Sequence, residues 1–103
     1  MSGKIKASEL PEFDIAEHLR SDADIAEYLT LVLAENDPAE FTHALGKIAR
    51  ARGMSELARA SGLTREALYK ALRPGSQPRF DTIARVCAAL GVKLSAEPID
   101  SGR

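Results

Sequence analysis

The 103-residue chain has one cysteine, no tryptophan and only five aromatic residues. A lone Cys87 excludes a disulfide framework and a cysteine-rich metal site. It sits in an apolar helical pattern and reads as a buried thiol in a reducing compartment. No apolar run approaches the roughly 20 residues that a membrane helix requires. The start, MSGKIKASELPEFD, lacks the apolar stretch of a secretory signal, and acidic residues from Glu9 onward speak against a transit peptide. The expectation is a cytoplasmic protein with no membrane partner. There is no glycine-rich phosphate loop and no H-E-x-x-H pattern. His18 and His43 fall on separate expected helices. Ser55 and Ser61 have no histidine beside them in sequence. Glu12, Glu17 and Glu27 are not set in a pattern that would build a pocket. The residues therefore predict no enzyme, no cofactor and no metal site.

The net charge of −1 conceals a division along the chain. Residues 1–40 hold three basic and ten acidic side chains, a net of −7. Residues 41–103 hold eleven basic and five acidic side chains, a net of +6. Such a split suits a basic face for phosphate and an acidic face for another partner. A chain this short makes one domain with a modest core, of the size that gains stability from a partner or a second copy.

The pattern along the chain is helical. Residues 1–12 read as a flexible start and 13–36 as an acidic helical lead-in. Asp14 with Glu17, then Ser21 with Asp24, give capping patterns. Phe13, Ile15, Ala16 and Leu19 supply the first apolar side; Ile25, Tyr28, Leu29, Val32 and Leu33 supply the second. Asn36 ends that helix. Asp37-Pro38-Ala39-Glu40 is a start signal with an Asp cap, proline at the first helical position and a glutamate to close the box. Phe41, Leu45 and Ile48 form the next stripe, with Ala44 and Ala51 beside it and Lys47, Arg50 and Arg52 away from its centre. Gly53 stops the helix. A short helix follows with Ser55 as cap. Thr64 caps another that ends near Leu72, with Ala67, Leu68, Ala71 and Leu72 inward. Residues 74–78, PGSQP, break any helix. Asp81 caps a last helix with Ile83, Val86, Cys87 and Leu90 inward, and Gly91 stops it. Residues 92–96 alternate with period two and predict a short strand, paired with a second copy or laid on its own domain. The expectation is an all-α compact helical domain over residues 37–92, followed by a strand and tail at 93–103.

The two short helices joined by residues 60–64 fit a helix-turn-helix. Ala58 is small where the helices would cross. Gly62 suits a left-handed turn, and Leu63, Leu68 and Leu72 are apolar anchors. A second helix of this kind enters the major groove of DNA. Its outward residues are Thr64, Arg65, Glu66, Tyr69, Lys70 and Arg73. Arg65 can pair bidentately with guanine. Glu66 can accept from cytosine, orient Arg65, or serve only as a first-turn charge. Tyr69 suits a thymine methyl, a phosphate or the edge of the core. Lys70 reaches guanine or backbone, and Thr64 suits a phosphate. Arg73, Arg79, Arg52 and Arg59 suit phosphates. Arg59 and Arg85 can equally be solvated.

On these residues the chain resembles the bacterial addiction-module antidote (antitoxin) proteins, which carry a phage lambda Cro/C1-type helix-turn-helix. The resemblance covers nearly the whole chain: the lead-in from FDIAEHLRSDADIAEYL, the stretch ARARGMSELARASGLTREALYKAL, the segment PRFDTI and the ending VCAALGVKLSAEP. It implies a homodimer that binds double-stranded operator DNA, represses its own operon and neutralises a small ribonuclease-like toxin. Gly62 falls on the turn glycine, Ala58 on the crossing residue, and Thr64, Arg65, Glu66, Tyr69 and Lys70 on DNA-facing positions. The loop at 74–78 departs from the tighter links of some repressors. The acidic section before Glu40 either covers a basic toxin surface or simply packs on the core. A stand-alone transcriptional repressor without a toxin is the alternative reading, and a helical adaptor a third.

Overall fold

Side-chain caps open three of the six α-helices found among the described residues, 7–9 and 11–99, of the structure, a computed structural model. After a 3₁₀ turn at Ala7–Glu9 come α1 (Glu12–His18), α2 (Asp22–Leu33), α3 (Pro38–Arg52), α4 (Met54–Ser61), α5 (Arg65–Leu72) and α6 (Phe80–Ala89). The Ser21 hydroxyl accepts from the Asp24 N–H at 3.1 Å to start α2. The Asp37 carboxylate accepts from the Ala39 N–H at 3.2 Å, with Pro38 in the first turn of α3. The Thr64 hydroxyl accepts from the Ala67 N–H at 2.9 Å to start α5. Each such cap satisfies a donor that the helix itself cannot, worth about 1 kcal/mol.

The helix α3 is the central post. Helices α1 and α2 pack on one side of it, α4 and α5 on another, and α6 closes over α4. One apolar cluster runs through all six, from Ile15 and Ile25 through Leu45 and Ile48 to Leu68 and Val86. Each fully buried Leu or Ile contributes roughly 1.5–3 kcal/mol. The radius of gyration, 13.8 Å, is close to the ~13 Å expected of a single 100-residue domain.

Several sequence expectations need correction. The residues 92–99 form no strand: a period-two segment needs a mate, and none lies beside it among the described residues. Val92 is buried and Leu94 half-buried against the core instead. Ser55 does not cap α4, which begins at Met54 after Gly53; Ser55 is an exposed residue of the first turn. Asp81 does not cap α6, which begins at Phe80 after an extended Arg79; its carboxylate accepts from the Arg79 guanidinium at 3.2 Å. Glu40 does not close a box on Asp37 but lies 3.9 Å from His43. Lys47 is buried, 7 % exposed, and engaged with a neighbouring group, because α3 is covered on more than one side. Leu33, Ala16, Ala51 and Ala67 are exposed. Helix α1 enters at Pro11, so Asp14 stands inside it and not at its start. The side chains of Phe13 and Asp14, and the chain ends 1–6 and 100–103, lie outside the described residues.

Candidate nucleic-acid interface

The α4–α5 unit is fixed by its turn. Gly62 takes φ +77°, a conformation that costs an L side chain roughly 1–2 kcal/mol. That left-handed step lets the Leu63 N–H bond back to the Ala58 carbonyl at 3.1 Å, a Schellman-type closure. The Ser61 hydroxyl donates to the same carbonyl at 3.1 Å. Leu63, half-buried, then packs on the core, as such closures favour. Ala58 is buried at the start of this turn. Thr64 is extended and directs the chain into α5.

Helix α5 has two turns and buries one side only. Leu68 and Leu72, four residues apart, are its buried residues. Everything else follows from that anchoring. Thr64, Arg65, Glu66, Tyr69, Lys70 and Arg73 are all exposed, four of them on α5 and Thr64 and Arg73 at its two ends. The Arg65 guanidinium donates to the Tyr69 hydroxyl at 3.1 Å and lies 5.4 Å from the ring centroid. Tyr69, not Glu66, therefore orients Arg65 in the free protein. Glu66, Lys70 and Arg73 make no ion pair among the described residues. The surface carries Arg65, Lys70 and Arg73 against Glu66 alone.

The cations expected at phosphates are spread differently. Arg59 pairs with Glu56 at 2.6 Å, Arg52 with Asp22 at 3.7 Å, and Arg79 with Asp81 at 3.2 Å. Exposed pairs of this kind are worth ~0–1 kcal/mol and exchange readily for a phosphate. The Arg85 guanidinium reaches the turn, 3.7 Å from where a side chain on Gly62 would begin.

One residue that matters here was not singled out from the sequence. A Cβ on Gly46 would stand 3.0 Å from the Leu72 carbonyl, so this glycine lets α5 lie directly on α3. Its signal was present as a lone glycine inside a helical pattern, which implies close approach. A cleft of about 510 Å³ runs along this contact, lined by Gly46, Arg50, Met54, Tyr69 and Lys70 among others.

A family model described as "Probable addiction module antidote protein" matches residues 9–98. The chain belongs to this antidote family. A relative from Haemophilus influenzae (strain ATCC 51907 / DSM 11121 / KW20 / Rd), named "Uncharacterized protein", is 44% identical over 89 residues, covering 86% of this chain and 92% of its own. No solved structure matches the antidote. Its family is one of antidotes and not of enzymes. Among the described residues of the antidote no helix is long and apolar enough to cross a membrane, and no group of three or more His, Cys, Asp or Glu side chains could hold a metal ion.

Proposed function

We propose that this antidote reads operator DNA through α4 and α5, acting as a helix-turn-helix of the Cro/C1 type with α5 in the major groove. In this reading it binds as a homodimer, represses its own operon, and neutralises a small ribonuclease-like toxin. Residues 37–92 form the DNA-reading unit, and 13–36 its acidic lead-in. The observation that carries the DNA reading is α5 itself. Its core side is anchored at Leu68 and Leu72, and its open surface gathers Arg65, Lys70 and Arg73 with Tyr69. Membership of the antidote family supports the toxin partner.

Arg65 stands at the N-terminal end of α5, which points deepest into a groove, and Tyr69 already holds its fork in position. A bidentate pair with guanine is worth about 1–3 kcal/mol of discrimination. Arg73, just past the helix, suits a phosphate, which sets position and affinity and not sequence. Lys70 and Thr64 serve base or backbone from the same surface. Dimeric readers place two recognition helices about 34–36 Å apart on successive turns of DNA, so the operator is expected to hold two related half-sites.

The deciding experiment is a fluorescence-anisotropy titration against the promoter DNA upstream of the chain's own gene, with a scrambled duplex alongside, at several salt concentrations. Tight binding to the promoter alone supports the reading. Equal weak binding to both duplexes counts against it. The toxin-neutralising part is tested separately, by looking for a small reading frame beside this chain's gene and growing cells that express its product, with and without the antidote. Failure to restore growth would count against that part alone.

A further inference from the structure

A second surface, sharing no lining residue with the cleft beside α5, is apolar and open. It lies between the α2–α3 turn, the loop at 74–78, the start of α6 and the tail, with a volume of about 700 Å³. Phe41, Thr42, Ile83 and Leu94 form its inner wall, and Leu33 and Phe80 stand at its edge. Phe80 is 73 % exposed and Leu33 46 %. Apolar side chains this large, gathered around a groove and left in water, mark an interaction site.

The charge around the groove selects among partners. Asp37 lines it, Glu40 follows on the first turn of α3 beside His43, and Glu35, engaged with a neighbouring group, lies in the turn itself. The exposed pair of Arg79 and Asp81 beside Phe80 adds no net charge. Lys93, one residue before Leu94, is an exposed cation on the tail. The local excess of acid also reaches inward: Glu35 and Glu40 add to burial in pushing the Tyr28 hydroxyl up to about 12. A second copy of this chain would bring the same acidic edge against itself, which like-charge repulsion disfavours. A basic partner gains on both counts.

We propose that this groove takes a basic amphipathic segment of the toxin, its apolar side between Leu33 and Phe80 and its Lys or Arg side against Asp37 and Glu40. The proposal rests on the antidote reading given above. Its chemical logic is that a ribonuclease must carry cations to hold RNA, and an antidote that covers those cations with carboxylates removes the substrate site. The arrangement also leaves α5 open, so one molecule can hold toxin and DNA through different surfaces.

The test is a titration of the full chain with a synthetic amphipathic helix of leucine and lysine, followed by amide NMR shifts and by anisotropy of the labelled peptide. The leucine–glutamate peptide serves as control. The expected result is binding of the lysine peptide alone, with shifts gathered on Leu33, Phe41, Thr42, Phe80 and Leu94. Phe80→Ser and Leu33→Ser, both at exposed positions, should each weaken it about tenfold. Asp37→Asn with Glu40→Gln should weaken it several-fold and flatten its salt dependence, while asparagine preserves the α3 cap. Arg65→Ala should leave it unchanged. Equal binding of both peptides, no binding, or shifts gathered on α5 would overturn the proposal. So would a homodimer in light scattering that Phe80→Ser dissociates, since a second copy would then be the occupant. The growth assay separates the two readings. Rescue by wild type and equally by Phe80→Ser with Leu33→Ser removes the groove and keeps the antidote reading. No rescue by wild type removes both.

Discussion

At the scale of single residues, Tyr28 bears a cost that the rest of the core does not. Its ring is buried in α2, and its hydroxyl has no hydrogen-bond partner among the described residues. A buried hydroxyl without a partner costs roughly 1–3 kcal/mol, because it has lost water and gained nothing. Tyr28→Phe keeps the ring and removes the cost. The variant is expected to be more stable by about 1 kcal/mol in urea unfolding, whereas most core substitutions destabilise. A loss of stability would mean that the hydroxyl has a partner in solution. Lys47 is a contrasting case, a buried cation that does have a partner. The sequence placed it away from the centre of the α3 stripe, because a stripe at i, i+4 and i+7 assumes one packed side. With α1, α2, α4 and α5 all resting on α3, Thr42, Gly46, Lys47 and Ala49 are buried as well. That number of neighbours is a tertiary fact and is not written in the periodicity of one helix.

At the scale of elements, what was legible depended on whether a helix starts with its own side chain. Ser21, Asp37 and Thr64 are short oxygen-bearing residues that cap in place, and α2, α3 and α5 start where those residues predict. Helices α4 and α6 start after Gly53 and Arg79 with no side-chain cap, so the nearest capping residue inside the helix, Ser55 or Asp81, drew the cap two residues late. The exposure of the six candidate residues on and beside α5 was legible, because a two-turn helix anchored by leucines at 68 and 72 leaves its other residues in solvent. The Arg65–Tyr69 contact was not, since Glu66 is an equally plausible partner by spacing and only the rotamers decide. The Thr64 cap is the most direct lever on this element. Thr64→Ala should cost about 1 kcal/mol of global stability, and Thr64→Ser should restore most of it. Operator binding by the alanine variant should fall by more than its stability loss explains, because α5 frays at the end that carries Arg65. Unchanged operator affinity in Thr64→Ala would remove the N-terminal turn of α5 from the DNA reading. Two further substitutions on the element separate specificity from affinity. Arg65→Ala should weaken binding to operator and relax its sequence preference, with little effect on random duplex. Arg73→Ala should weaken both alike and lower the salt slope by about one unit. Anisotropy titrations across a salt series check both, and the opposite pattern would exchange their roles.

At the scale of the whole molecule, the acidic first part and the basic remainder are not separate bodies. Helices α1 and α2 share one core with α3 to α6, so the charge division is carried on the surface of one body. This core also sets the response to alkali. Burial, with Glu35 and Glu40 adding to it, raises Tyr28 from 10.0 to about 12. Burial alone raises the Cys87 thiol from 9.0 to about 11. Both groups are neutral when protonated, and folding favours the protonated form. The unfolded chain therefore releases these protons first, at pH 9 for the thiol and pH 10 for the phenol. Stability is fully present below those values, falls as the pH rises through them, and is lost by the folded-state values near 11 and 12. Shifts of this size correspond to roughly 2–3 kcal/mol for each group. Urea unfolding from pH 7 to pH 11 should give a flat profile to about pH 9 and a steepening decline beyond it. Tyr28→Phe should keep the first part of that decline and lose the part that begins near pH 10. A wild-type profile that stays flat to pH 11 would mean that water reaches both groups. The core joining the acidic lead-in to the α4–α5 unit would then be looser than the packing of Ile25, Leu45 and Val86 implies.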